Sequence, residues 1–291
     1  MLSGVQVICF ASSYAIALAL ELSRLMFRST IRGILLLIFA GAGLLAHSAY
    51  LYYRAVQPGG IPLSSSQDWL LLAAWVLVVI YLYLLCARFK TPFGLVLLPL
   101  ALALIGAAYW LADPHPYARE PASTIWGVIH SGSLLLATVA VLLGFAAGVA
   151  YLSQRWRLKH KRPSLGGLRL PSLEWLDRAN SHATTLSVIM LGVGIVSGVI
   201  LNSIRHSAQT DRLPWSDPVV LSTAVMFVWL LVAVVVAHLY KPIWRGRKVA
   251  YLTVASFVFL VIVLAMLLFL NARHGGANEQ IQKLPASGAS P

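Results

Sequence analysis

Histidines at the ends of long apolar segments are the residues in this sequence best suited to chemistry. His130 lies a few residues into the apolar run 125–153, and His274 comes just after the apolar run 249–271. Neutral imidazole is a standard axial ligand of haem iron, and ionisable groups at membrane depth usually have a function. Two such imidazoles on one side of a membrane can bind opposite faces of one iron. The spacing alone leaves another interpretation open, in which His130 hydrogen-bonds a neighbouring helix and His274 is solvated at a helix end.

Other ionisable residues lie inside or beside apolar runs. His238 and His182 border consecutive antiparallel segments on the side opposite His130, and His182 is typical of an interfacial residue. His47 has no charged partner in the adjacent sequence, which favours a role in helix packing. Glu21 is three residues before Arg24, and this spacing predicts an ion pair on one helix face.

The composition is that of a membrane protein. The 291 residues are 59% hydrophobic and 11% charged, with a mean hydropathy of +0.80, which is too apolar for one water-soluble core. The net charge of +13 comes from residues between the apolar runs, so it indicates membrane orientation and not nucleic-acid binding. Cys9 and Cys86 lie within apolar runs, and without a CxxC or CxxCH motif neither a dithiol nor covalent c-type haem is expected.

Eight apolar runs are long enough to cross a bilayer, which takes roughly 20 residues of helix. The sequence therefore predicts an all-α, polytopic membrane helical bundle. The predicted spans are residues 5–23, 33–53, 69–87, 93–112, 125–153, 184–203, 219–240 and 249–271. We expect the first span to be a retained helix, since no basic residue precedes it and no cleavage site follows it.

The basic residues orient these spans. The loops after the first, third, fifth and seventh spans hold 16 of the 22 Lys and Arg residues. Such loops are retained in the cytoplasm, so both termini are predicted to lie outside a cell inner (cytoplasmic) membrane. In the long cytoplasmic loop 154–183, the basic run RWRLKHKR precedes LPSLEWLDRAN, which after its Pro is typical of an interfacial helix.

Three segments resemble a known family. They read IWGVIHSGSLLLATVAVLLGFAAGVAYL (125–152), LPSLEWLDRANSHATTLSVIMLGVGIVSGVILN (170–202) and WRGRKVAYLTVASFVFLVIVL (244–264). They are similar to the cytochrome c assembly family, whose members include CcsA, CcmC and HemX-like proteins. The resemblance implies a cytochrome c assembly-like four-helix region in 121–276, while hydropathy predicts four N-terminal transmembrane helices in 1–120. The Gly/Ala/Ser/Pro composition of 277–291 predicts a disordered tail. The glycines in GFAAG and GVGIVSG are spaced for close helix packing.

The resemblance implies a way to hold haem: members of this family use a tryptophan-rich outer loop, the WWD motif, which is flanked by two histidines. The corresponding segment here is DRLPWSDPVVLSTAVMFVW, which retains Trp215, Asp217 and Pro218. Val219 and Val220 replace the Lys-Glu pair of the motif. The motif is therefore degenerate, and the HemX-like branch is the better match.

The resemblance implies a membrane haem-handling protein that binds haem b non-covalently and delivers or presents it on the outer face during cytochrome c maturation. His130 and His274 are the expected axial ligands of the haem iron, with His238, Trp215 and Asp217 as further haem contacts. Expected partners are haem, apocytochrome c, a membrane partner subunit and the lipid bilayer, without nucleic acid.

Two alternatives stay open. One is a HemX-like regulator of haem biosynthesis that binds its target through loop 154–183, and the other is an accessory subunit of a membrane transporter. The sequence contains no hydrolase triad, phosphate loop or zinc signature, so we expect no catalytic residues and no enzymatic reaction by this chain alone.

Overall fold

A computed structural model describes residues 6–24, 31–56, 65–87, 93–114, 124–161, 171–207, 215–239 and 242–269, with only the backbone at 124, 205–207, 238 and 242–245. The predicted tail 277–291 lies outside these residues. Within them the chain forms eight α-helices and no strand, which confirms the all-α prediction. The helices are α1 (Val7–Ser23), α2 (Arg32–Val56), α3 (Ser66–Cys86), α4 (Gly94–Trp110), α5 (Thr124–Lys159), α6 (Leu173–Ser207), α7 (Pro218–Leu239) and α8 (Pro242–Phe269).

The described helices confirm a multi-pass membrane protein. Six of them, α2, α3 and α5 to α8, are long and apolar enough to span a bilayer, whereas α1 and α4 are apolar helices of 17 residues each. Large apolar side chains cover the outer surface of the bundle, and on α7 they form a continuous stripe that includes Val225, Val228 and Val232. Such a surface suits contact with lipid.

Two helices extend further than the hydropathy predicts. α5 has 36 residues and includes most of the basic run, and at 1.5 Å per residue it is about 54 Å long. α6 begins at Leu173, so a helix does follow the proline of LPSLEWLDRAN, and it is continuous with the predicted sixth span. Leu176 and Asn180 are fully buried, which shows that this segment packs inside the bundle as the first turns of α6. The Ser172 hydroxyl starts the helix by accepting the Trp175 N–H at 3.2 Å.

The helices pack as two sets of four. α1 lies against α2 and α4, and α3 against the same two helices. In the second set α5 lies against α6 and α8, and α7 against the same two helices. α5 also contacts α3 and α4, so this helix joins the two sets.

A polar network fixes the start of α3. The Ser65 hydroxyl caps the helix by accepting the Asp68 N–H at 3.1 Å. Arg54 at the end of α2 lies 2.6 Å from the Asp68 carboxylate and donates to the Gln67 side-chain oxygen at 2.9 Å. Gln67 in turn donates to the Ala108 carbonyl of α4 at 3.3 Å. These contacts hold the ends of three helices together where α3 begins.

The expected Glu21–Arg24 ion pair is present at the opposite end of the N-terminal set. The two side chains lie 3.3 Å apart, and Tyr81 of α3 donates a hydrogen bond to the Glu21 carboxylate at 3.1 Å. Glu21 is fully buried. A buried carboxylate needs such partners because hydrocarbon offers none.

Replacing Arg54 with Met should destabilise the fold, because it removes the cation that lies against the buried Asp68 carboxylate. We expect a loss of about 2 to 4 kcal/mol, less than for a fully buried pair because water reaches part of Arg54. Thermal unfolding in detergent measures the effect. Arg178→Met is the matched control, since Arg178 and its partner Glu174 are 69% and 75% exposed. The control should cost less than about 0.5 kcal/mol. Equal losses in both variants would show that the network at the start of α3 stabilises the fold no more than an exposed ion pair does.

Candidate functional site

His130 lies on the second turn of α5 and is held by α6. Its Nδ1 is 2.7 Å from the carbonyl oxygen of Gly194. A carbonyl only accepts, so this bond assigns the ring proton to Nδ1 and the lone pair to Nε2. Histidines that bind metals have this arrangement, with one nitrogen donating to a backbone carbonyl and the other available as ligand. The hydrogen bond to a neighbouring helix, which the sequence left open as the alternative to a ligand role, is therefore present. A ligating histidine makes a bond of the same kind, so this contact does not decide between the two interpretations.

The His130 ring occupies space that only glycine leaves on α6. A Cβ at Gly198 would lie 2.9 Å from Cε1 and 3.0 Å from Nδ1 of the imidazole. A Cβ at Gly194 would lie 2.6 Å from the Leu134 side chain, one turn further along α5. The glycines of GVGIVSG thus allow the close packing predicted for them, and they also form the seat of the histidine.

An apolar groove runs beside this histidine between α5 and α6. Its volume is about 370 Å³, and its walls include Trp126 and Ile129 of α5 and Val193, Val196 and Ser197 of α6. The Ser197 hydroxyl donates at 3.0 Å to the same Gly194 carbonyl that His130 contacts. The walls are apolar, and several of the side chains that form them, among them Val193 and Val196, face outward from the bundle.

Trp215 and Asp217 lie at the start of α7, at the same end of the bundle as His130. The buried Asp217 carboxylate caps α7, accepting the Val219 N–H at 2.8 Å and the Val220 N–H at 3.4 Å. The Trp215 ring is 52% exposed. The contacts of Asp217 therefore fix the direction in which α7 leaves the loop, and a haem contact for either residue stays a prediction.

The two remaining candidate ligands are not fully described. His274 lies outside the described residues. His238 belongs to α7, but its side chain also lies outside the description. His182 is described and exposed on α6, as expected for an interfacial residue.

His47 packs in the N-terminal set, as expected. It is fully buried and stacks on Phe10 of α1 at 4.1 Å between ring centroids. Its Nδ1 lies 3.4 Å from the Tyr14 hydroxyl, and its Nε2 has no hydrogen-bond partner among the described residues. Both aromatic partners come from another helix, so the sequence around His47 carries no signal for them. The tight packing leaves no room for a porphyrin here.

These features define a multi-pass helical membrane protein with a histidine fixed at a helix interface. The chain belongs to the cytochrome c assembly protein family, which matches residues 63–272, more than half of its length. The match begins just before α3 and includes His130 and the start of α7.

Individual relatives share about a quarter of their residues with this chain. Cytochrome c biogenesis protein CcsA of Synechococcus sp. (strain CC9902) is 26% identical over 258 residues, covering 79% of this chain and 82% of that protein. CcsA of Prochlorococcus marinus (strain MIT 9303) is 24% identical over 247 residues, covering 74% and 75%. Inner membrane protein YpjD of Escherichia coli (strain K12) is 28% identical over 173 residues, 58% of this chain and 62% of YpjD, so the match spans less than two thirds of YpjD. No solved structure has a significant match to this chain.

A methyl group at Gly198 should displace the His130 imidazole. The added Cβ overlaps the ring, and overpacking of this kind costs about 1 to 3 kcal/mol. We expect Gly198→Ala to lower the thermal midpoint in detergent. Gly132→Ala is the control, because no heavy atom outside its own helix backbone lies within 4 Å of that position. It should leave the midpoint unchanged or raise it slightly through higher helix propensity. A stable Gly198→Ala protein would contradict the close contact.

Proposed function

We propose that this protein binds haem through His130 and handles it during cytochrome c maturation, delivering or presenting it on the outer face. Membership of the cytochrome c assembly family supports the process, and so does the name of the CcsA relatives, cytochrome c biogenesis proteins. The name of YpjD supports a location in the inner membrane. The positive loops support an outer position for the end that carries His130.

The bond between His130 Nδ1 and the Gly194 carbonyl is the observation that carries this proposal. It holds the imidazole in one tautomer and one orientation before any ligand arrives. Preorganisation of this kind is typical of metal-binding histidines, whose second nitrogen is bonded to a carbonyl or carboxylate. The adjacent groove supplies the apolar wall that a porphyrin face needs.

The other candidate residues have subordinate places in the proposal. His274 follows the last span on the same predicted side and supplies the second axial ligand. Trp215 offers an exposed aromatic face, and Asp217 sets the position of that face through the α7 cap. His238 would be the ligand of a haem bound nearer the cytoplasmic end.

The haem is haem b, held non-covalently, and it brings the iron and the porphyrin that an apocytochrome c acceptor takes up. The protein supplies ligands, orientation and an apolar surface. Because its tryptophan loop is degenerate, we propose that a membrane partner subunit completes the task, and that this chain performs no enzymatic reaction alone.

The reduced-minus-oxidised visible spectrum of the detergent-purified protein, expressed with ample haem, tests the proposal. We expect a bis-imidazole haem spectrum in the wild type. His130→Ala should lower haem occupancy by at least about tenfold, since losing even an outer partner of a ligand costs 10- to 100-fold in metal affinity. His274→Ala should act in the same direction.

His182→Ala is the matched control for this experiment, because His182 is an exposed histidine of the same bundle. It should bind haem as the wild type does. A colourless wild-type protein would refute the haem-handling function. Loss of the spectrum in His238→Ala alone would place the haem at the cytoplasmic end and remove His130 as its ligand.

One observation favours the regulatory alternative. The basic end of α5 exposes Trp156 and Leu158, at 50% and 58%, between Arg155, Arg157 and Lys159. An exposed aromatic among basic residues suits a partner protein as well as a lipid surface.

A HemX-like regulator would act through this surface and not through the haem ligands. Its signature is a changed cellular level of an early haem-biosynthesis enzyme in Trp156→Ala, with a normal level in the double variant His130→Ala, His274→Ala. If haem handling is the function, we expect immunoblots of that enzyme to show no change in Trp156→Ala.

A further inference from the structure

We infer that Trp69 of α3 is a positioning residue for His130, an inference that rests on the haem-ligand function proposed above. The indole Nε1–H of Trp69 donates to the backbone carbonyl of Ser131 at 3.1 Å. Ser131 directly follows His130 in α5. The bond therefore joins the N-terminal set of helices to the turn that carries the candidate ligand.

This turn of α5 has particular need of an external contact. α5 begins at Thr124, so the backbone N–H groups of its first turn have no partner within the helix. His130 comes in the next turn, six residues after the helix begins. Contacts from neighbouring helices decide how sharply the imidazole is placed.

Trp69 is well placed to supply such a contact because its own position is fixed. The residue before it, Asp68, is bound to Arg54 of α2, and Gln67 is bound to both α2 and α4. Trp69 is thus attached to the point where three helix ends meet. The polar network at the start of α3 therefore stabilises the N-terminal set of helices and also fixes the residue that contacts α5.

The His130 turn is held from two sides. Trp69 binds the backbone just after the histidine from α3, and Gly194 binds the imidazole itself from α6. The first contact limits translation and rotation of the helix turn. The second limits rotation of the ring. Together they determine where Nε2 points, and that direction is what an axial ligand must have fixed.

The same helix offers a matched control. Trp75 is half-buried like Trp69, and its indole donates to the Ser48 hydroxyl of α2 at 2.9 Å. Its hydrogen bond connects α2 with α3 and does not involve α5. Trp69→Phe and Trp75→Phe each remove one indole N–H and keep an aromatic ring, so both test the loss of one interhelical hydrogen bond.

Two measurements on the full-length protein in detergent test the inference. The first needs no haem: diethyl pyrocarbonate modifies the imidazole nitrogen that bears the lone pair, and mass spectrometry follows the rate at His130. We expect Trp69→Phe to raise this rate a few-fold and Trp75→Phe to leave it unchanged. Asp68→Asn, which loosens the attachment of Trp69, should raise the rate in the same direction and serves if Trp69→Phe does not fold.

The second measurement uses bound haem. Trp69→Phe should shift the electron paramagnetic resonance g-values of the ferric haem and speed haem loss to apomyoglobin. The change should be a few-fold, below the 10- to 100-fold typical of losing a partner bonded directly to a ligating imidazole. Trp75→Phe should match the wild type in both.

The outcomes separate the two proposals. If Trp69→Phe and Trp75→Phe are alike in His130 reactivity, Trp69 has no positioning role and the inference is overturned. If the wild type binds no haem but Trp69→Phe alone raises the reactivity of His130, the positioning role stands and the haem function fails.

Discussion

Hydrocarbon cannot hydrogen-bond, and this constraint accounts for much of how the polar side chains of the protein are arranged. Glu21 meets Arg24 and Tyr81, and Asp68 meets Arg54, each within a set of packed helices. Many serine and threonine hydroxyls return to carbonyls of their own helix, as Thr184 does to Asn180 at 2.8 Å. In such surroundings a polar group needs partners on neighbouring helices. His130 has one in the Gly194 carbonyl of α6, which engages its Nδ1.

The same constraint explains why contacts within the N-terminal set of helices also affect the position of α5 in the second set. The network at the start of α3 satisfies polar groups of α2, α3 and α4, and in doing so it fixes Trp69 against α5. A packed interface transmits such constraints because interiors of this density do not deform freely. The N-terminal set of helices, of which α3 and α4 lie within the family match, thereby bears on the candidate site in the other set.

Hydropathy predicted the helical fold well because a span is a property of about 20 consecutive residues. It placed the start of the sixth span at 184, whereas α6 begins at Leu173, because Asp177 and Asn180 lower the local apolar content. Asn180 is nevertheless fully buried in the bundle, so a measure of local apolarity omits these first turns. The orientation and the domain division stay predictions that rest on the basic loops and the family resemblance.

The candidate site was predictable as residue types and not as contacts. His130 was identified from its place in an apolar run, but the Gly194 carbonyl is a backbone group 64 residues away, with no side-chain signature. The glycines were predicted as packing residues, and nothing in their spacing shows that an imidazole lies over Gly198. The contacts of Arg54, Asp68 and Trp69 were not predicted, because each residue is of a type common at a membrane interface and its partners lie on other helices.

The length of α5 gives the bilayer itself an influence on the histidine. The apolar part of α5, residues 125–153, is about 44 Å long at 1.5 Å per residue and exceeds the roughly 30 Å of hydrocarbon, and an overlong apolar stretch tilts by an amount that depends on membrane thickness. α5 is continuous from the turn with His130 to the basic residues at its far end. A change of lipid that draws Arg155 and Arg157 toward the headgroups must therefore also alter the depth of His130 on the other side. Lipid composition therefore acts on the depth of the site through one continuous helix.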